Sequence, residues 1–197
     1  MNYLAHASLS FNNPGILAGN MVSDFVKGKK QYDYPELIQK GIRLHRAIDT
    51  FTDQHAVTKE AKNLLKPAAG AYAGAFMDVV YDHFLALDTN QFPDDSLAAF
   101  ATQVYAQLTE QQSVLPEKFV RILPYMRSQN WLYHYRDTEG IEKSFGGLAR
   151  RAAYLDDASG VFALFLEQYE KLRIHYQSFF PEVKAYASAQ FAVLLIQ

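Results

Sequence analysis

The chain has 197 residues, 19 Lys and Arg against 21 Asp and Glu, and no cysteine. That length suits one domain, and a chain of this size buries roughly 70% of its unfolded surface, so it needs neither disulfide nor structural metal to fold. Zero cysteine excludes disulfide frameworks, zinc ribbons and thiol nucleophiles, leaving His and carboxylate as the only metal donors, and a net charge of −2 excludes a general nucleic-acid coat.

Neither end carries an address signal. Met1–His6 lacks the charged start and long apolar run of a secretory leader. The apolar Phe191–Ile196 is far shorter than the roughly 20 residues a spanning helix needs. We expect a cytoplasmic protein without nucleic-acid or membrane partners, its last turn or two docking on the domain or on a partner.

Helical signals dominate the chain. Asn13-Pro14 is an N-cap with Pro at the first helical position, and Gly28 after Lys27 is a stop. A second helix is expected from about Tyr34-Pro35 to Asp53, with Leu37, Gly41, Leu44, Ile48 and Phe51 on one stripe. Others are expected over Thr58–Lys66, Ala71–Leu87, Ser96–Gln112, Glu117–Leu123, Tyr125–Arg136, Glu139–Tyr154 and Val161–Phe180, with a last one after Pro181. Breaks fall at Asn90–Asp95, Pro116, Pro124 and Pro181. No sustained alternating β-branched run, repeat or low-complexity segment occurs. The expectation is an all-α fold, one domain over residues 1–197 with about eight or nine helices.

Three segments set acids and imidazoles at helical spacing. Asn20 and Asp24 are four apart, on a solvated face or beside another partner. His45 and Asp49 share a line with Ile38 and Ile42 at the edge of the apolar stripe. A structural His–Asp hydrogen bond and metal ligation both account for that pair. Asp78 and Asp82 share a line on a helix that is apolar nearly all round. Either that line faces solvent or a divalent cation relieves the cost of burying two acids. His83 points about 100° away from Asp82, as a supporting group or a ligand from the side. No phosphate-binding glycine loop, Gly-x-Ser-x-Gly elbow or His-Glu-x-x-His pair is present. Gly146-Gly147 before Arg150-Arg151 could set cations near a phosphate. The 13 Tyr and 14 Phe read as core packing.

These pieces together resemble the bacterial acyl carrier protein phosphodiesterases. The resemblance is carried by Asn2-Tyr3-Leu4-Ala5-His6, Gly19-Asn20 through Asp24-Phe25-Val26-Lys27-Gly28, and Gly41-Ile42-Arg43-Leu44-His45-Arg46 with Ile48-Asp49 and Thr52-Asp53. Asp78-Val79 with Tyr81-Asp82-His83-Phe84-Leu85, Trp131-Leu132 with Tyr135-Arg136-Asp137, and Arg150-Arg151 continue it. It spans Met1 to about Pro181 and implies an all-helical hydrolase, distantly similar to the HD-type metal phosphohydrolases. The implied reaction cleaves the phosphodiester between phosphopantetheine and a serine of holo-acyl carrier protein. The chain has no His-Asp dipeptide, only the reversed Asp82-His83 and the spaced His45 and Asp49. Ligands are therefore not transferred from HD enzymes.

The implied cofactor is manganese, with magnesium or another divalent cation as alternatives, held by some of Asp24, His45, Asp49, Asp78 and Asp82. Arg43 or Arg46 would neutralise phosphate charge, and His6 or His83 would protonate the departing serine oxygen. An acidic carrier protein calls for a basic surface, for which Lys27, Lys29, Lys30, Lys40, Arg43, Arg150 and Arg151 are the candidates. Two other readings compete: a helical phosphohydrolase acting on a small nucleotide or other phosphodiester, and a non-enzymatic helical binding module.

Overall fold

The computed structural model describes residues 1–196. Its regular elements are α1 (Tyr3–Ser8), α2 (Pro14–Val22), α3 (Glu36–Gln54), α4 (Ala56–Ala69), α5 (Ala73–Ala86), α6 (Leu97–Glu110), α7 (Glu117–Ser128), α8 (Trp131–His134), α9 (Thr138–Ala149), α10 (Ser159–Glu167) and α11 (Tyr169–Ile196), with short 3-10 turns between several of them. No strand occurs among the described residues, and no described helix is long and apolar enough to cross a membrane.

Helix α5 lies at the centre because it is apolar on nearly every side. Phe76, Met77, Val79, Val80, Tyr81, Phe84 and Leu85 are all buried, and α1, α4, α9 and α11 pack around it. The closest pair is α2 against α3. A β-carbon built on Gly19 would stand 2.0 Å from the Ile38 carbonyl oxygen, and one on Gly41 would stand 2.3 Å from that of Ile16. The two backbones touch where neither residue has a side chain, and no larger residue fits.

Several expected boundaries move. Asn13 does cap α2, its side chain accepting from the Ile16 amide at 3.1 Å. The helix stops at Val22, however, well before Gly28, and Ser23–Phe25 and Gly28–Asp33 are 3-10 turns. Arg46 holds this stretch in place by donating to the Val26 carbonyl and to Gln31. Pro124 and Pro181 lie inside α7 and α11 and end neither. Each removes one backbone hydrogen bond, but Phe119, Leu123 and Met126 on one helix, and Phe179, Phe180, Val183 and Ala187 on the other, keep their stripes buried across it. At the other end of the chain Leu194 is buried while Leu195 and Ile196 are exposed.

Candidate metal centre

The site begins with the anchoring of α1. A six-residue helix cannot hold itself together in water, and Asn2 gives it no side-chain cap. Asp82 of α5 supplies that cap: Oδ2 accepts from the Leu4 amide at 2.7 Å, and Oδ1 from Ala5 at 3.2 Å and Asn2 at 3.3 Å. Burial pushes the Asp82 carboxyl up to about 7, against the pull of those amides. The expectation that Asp82 ligates a metal is corrected here, because both of its oxygens are spent on backbone donors. What its capping achieves is to fix His6, in the last turn of α1, against α2 and α3.

Asn20 takes hold of His6 and His45 together. Its Nδ2 donates to the His6 carbonyl at 2.8 Å and to Ser10 Oγ at 3.1 Å, which sets the amide orientation. Its Oδ1 then accepts from His6 Nδ1 at 2.8 Å, and its backbone carbonyl accepts from His45 Nδ1 at 2.7 Å. A carbonyl oxygen can only accept, so both imidazoles carry the Nδ1 proton and turn Nε2 toward the site. The Gly19/Gly41 contact is what brings the Asn20 carbonyl within reach of α3. The two rings stack with centroids 3.9 Å apart and planes 14° from parallel.

Both Nε2 atoms face Asp49. His6 Nε2 lies 3.2 Å from Oδ1 and His45 Nε2 lies 3.0 Å from Oδ2. Neither nitrogen is aligned to hydrogen-bond, however, and with Asp49 Oδ1 they are buried polar atoms without a hydrogen-bond partner. Three donor directions therefore converge on a point between the side chains, with the three ligand atoms within 4.8 Å of one another. Two imidazole nitrogens and a carboxylate, left unsatisfied in this way, fit a divalent cation. Asp24, its side chain 80% exposed, stands at the mouth 3.3 Å from His45 Nε2.

The electrostatics follow from crowding these charges. Burial and the neighbouring His45 push His6 down to about 4, while burial also opposes the His45 cation but Asp24 and Asp49 overcome it and raise it to about 9. Burial likewise works against the Asp49 anion, and the two imidazoles outweigh it, holding the carboxyl far below its usual range. Asp78 reaches the centre only indirectly. It accepts from the Met1 ammonium at 2.9 Å, which in turn lies 3.5 Å from Asp49 Oδ1. Burial pushes the Asp78 carboxyl up.

The remaining expected residues separate. His83 is enclosed, Nδ1 donating to the Tyr135 carbonyl at 2.7 Å and Nε2 accepting from the Tyr169 hydroxyl at 2.8 Å. Both nitrogens are therefore engaged away from Asp49, which corrects the expectation of a proton donor. Arg46 is committed to the turns after α2. Arg43 falls two residues before His45, about 200° round the helix, and its charge acts on Glu36. Lys40 is buried, its Nζ 2.6 Å from Glu36 Oε1, which corrects its reading as a docking cation. Lys27, Arg150 and Arg151 are exposed. Arg151 stands near enough to act on Tyr3, whose hydroxyl burial and Asp24 push above the usual tyrosine range. Tyr3 and Asn20 are the two residues of this site that spacing along the chain left without a role. Asn20 was readable only as the partner of Asp24 on one helix face, and α2 ends between them.

A family model described as acyl carrier protein phosphodiesterase matches residues 1–183. Among curated relatives, proteins named acyl carrier protein phosphodiesterase are similar over nearly their whole length. One from Klebsiella pneumoniae subsp. pneumoniae is 34% identical over 184 residues, covering 93% of this chain and 95% of the relative. One from Salmonella paratyphi A is 33% identical over 189 residues, covering 95% and 98%, and one from Photorhabdus laumondii is 33% identical over 182 residues, covering 92% of each. No solved structure matches the chain.

Proposed function

The chain belongs to the acyl carrier protein phosphodiesterase family, and from that premise we propose that it hydrolyses the phosphodiester between 4′-phosphopantetheine and a serine of holo-acyl carrier protein. The products are apo-carrier protein and free phosphopantetheine. The observation that carries this reading is the convergence of His6 Nε2, His45 Nε2 and Asp49 Oδ1, buried and without hydrogen bonds, on one point.

His6, His45 and Asp49 would hold a divalent cation, manganese in our reading, with Asp24 completing the set from the mouth. When bound, such a cation supplies Lewis acidity that polarises a phosphate oxygen and lowers the pKa of water. His6 thus moves from proton donor to ligand, since its one free nitrogen faces the cluster. The chain's other groups place the substrate. The exposed Arg151 takes the phosphate-facing place that the family resemblance offers to Arg43 or Arg46. Tyr3, which keeps its proton at neutral pH and feels the charges of Asp24 and Arg151, would protonate the departing serine oxygen as water forms the new phosphorus–oxygen bond and the old one breaks, the proton lost by the water restoring the tyrosine.

The deciding measurement is intact mass spectrometry of holo-carrier protein incubated with the enzyme and manganese. Loss of the phosphopantetheine mass in the wild type and its retention with Asp49→Asn is the expected result. An unchanged holo-carrier mass under wild-type, metal-loaded conditions overturns the reading. Equal cleavage of small phosphodiesters with no carrier protein moves the substrate class instead.

A further inference from the structure

A shallow groove of about 450 Å³ runs between α4 and the start of α5. Lys59, Lys62 and Lys66 line one side of it, three and four residues apart and so on one face of α4. The floor is nearly bare: Gly70 sits at φ +54° with nothing within 4 Å of where a β-carbon would stand, and that of Gly74 meets only the end of Lys62 at 3.6 Å. None of the lining residues is acidic. Among the described residues Lys62 pairs with Asp53 at 2.6 Å, while Lys59 and Lys66 form no ion pair.

Lys59 and Lys66, with Lys62 shared with Asp53, thus face a groove whose other lining residues are small or neutral. Lysines that only solubilise a helix usually alternate with acids, whose charges compensate them. The groove neighbours Asp78, whose Met1 partner lies 3.5 Å from Asp49 Oδ1. Gly74 is one helical turn before Asp78, and the charge of Lys62 acts on Asp78. On its other flank, the Tyr72 hydroxyl accepts from the Ala153 amide at 3.0 Å, tying the groove's edge to the loop that carries Arg150 and Arg151. Basic side chains thus lie on either side of that hydrogen bond, the lysines of α4 on one and the exposed Arg150 and Arg151 on the other, on a chain whose net charge is −2.

We propose that this groove on α4 is a docking surface for the acidic carrier protein, engaging its carboxylates while the phosphopantetheine linkage reaches the metal centre. It rests on the reading of the substrate given above and adds a surface that the arginine pair alone does not supply. Lys59 and Lys66 would contribute to encounter and to affinity and take no part in the chemistry.

The test measures binding apart from turnover. Fluorescently labelled apo-carrier protein is titrated with the full-length, metal-free enzyme and followed by anisotropy, with melting curves confirming that each variant is folded. Lys59→Glu with Lys66→Glu is expected to weaken binding at least tenfold and to flatten its salt dependence, whereas Lys59→Arg with Lys66→Arg retains both. In turnover the charge-reversed pair raises KM for holo-carrier protein and leaves kcat unchanged. Equal dissociation constants for wild type and the charge-reversed pair overturn the proposal, as does weakening by Arg150→Glu with Arg151→Glu alone. A wild type that binds no carrier protein overturns it too. Binding through the groove without loss of phosphopantetheine upholds the surface and defeats only the proposed reaction.

Discussion

His6 of α1 and His45 of α3 lie face to face at 3.9 Å between ring centroids, and a single residue, Asn20, holds the Nδ1 proton of each. The two grips are chemically different. His6 is held by the Asn20 side chain and His45 by its backbone carbonyl, so substitution reaches only one of them.

Asn20→Ala should therefore release His6 and leave His45 as it is. Nitrogen-15 NMR of the metal-free protein should show His6 acquiring the Nε2-protonated tautomer while His45 keeps Nδ1–H. Manganese affinity should fall about 10- to 100-fold. Asn20→Asp keeps the acceptor oxygen and should keep the His6 tautomer. Identical tautomers in wild type and Asn20→Ala would show that Asn20 does not orient the ring.

Asp49 and Asp82 should separate by readout. If Asp49 ligates the ion, manganese should raise the melting temperature of the wild type and leave that of Asp49→Asn unchanged. Asp82→Ala instead strands three amides at the start of α1, and should cost about 2 kcal/mol or more of stability without metal present. A metal-free melting temperature equal to wild type in Asp82→Ala would contradict the capping role.

Tyr3→Phe keeps the ring and removes the hydroxyl. If that group gives its proton to the departing serine oxygen, kcat should fall about 100-fold or more with manganese affinity unchanged. Full turnover by this variant would assign the proton to another source.

Gly41→Ala should be far more damaging than its one carbon suggests. The added methyl meets the Ile16 carbonyl at 2.3 Å, so α2 and α3 must part. Overpacking of this kind costs about 1–3 kcal/mol, and it also draws the Asn20 carbonyl away from His45. Denaturant unfolding and manganese titration should both register the change.

His83 gives the fold a pH dependence apart from the metal centre. Burial pushes its folded-state pKa below the usual 6.5, so the unfolded chain binds the proton more readily. Stability from this residue is present above about pH 6.5 and is lost as pH falls below it, by at most about 1.4 kcal/mol per pH unit. His83→Gln should unfold with a shallower dependence between pH 7 and pH 5 than wild type, as read by urea denaturation. Matching slopes would refute the assignment.

Helix content, and the pairing of His45 with Asp49, were legible from periodicity because both depend on neighbours three or four residues apart. Asp78 and Asp82 were equally legible as two acids on a buried line, yet their partners were not. Asp82 is satisfied by amides near residue 4 and Asp78 by the Met1 ammonium, both brought there by tertiary packing. His6 read as a proton donor for the same reason, since nothing local shows Asn20 holding its other nitrogen. Pro124 and Pro181 looked like breaks because propensity speaks only for the backbone, and buried stripes on either side outweighed it.

The bond between Asp82 and the Leu4 amide joins residues 78 positions apart, and this sets an order of events. On the ribosome, α1 is made long before the residue that secures it. Until α5 has been synthesised and has found its place, the start of α1 lacks its cap, and His6 is held chiefly by Asn20. Full ordering of the His6, His45 and Asp49 cluster is thereby deferred until α5, which ends at Ala86, has been made, and any ion captured there would report that the centre of the molecule has closed.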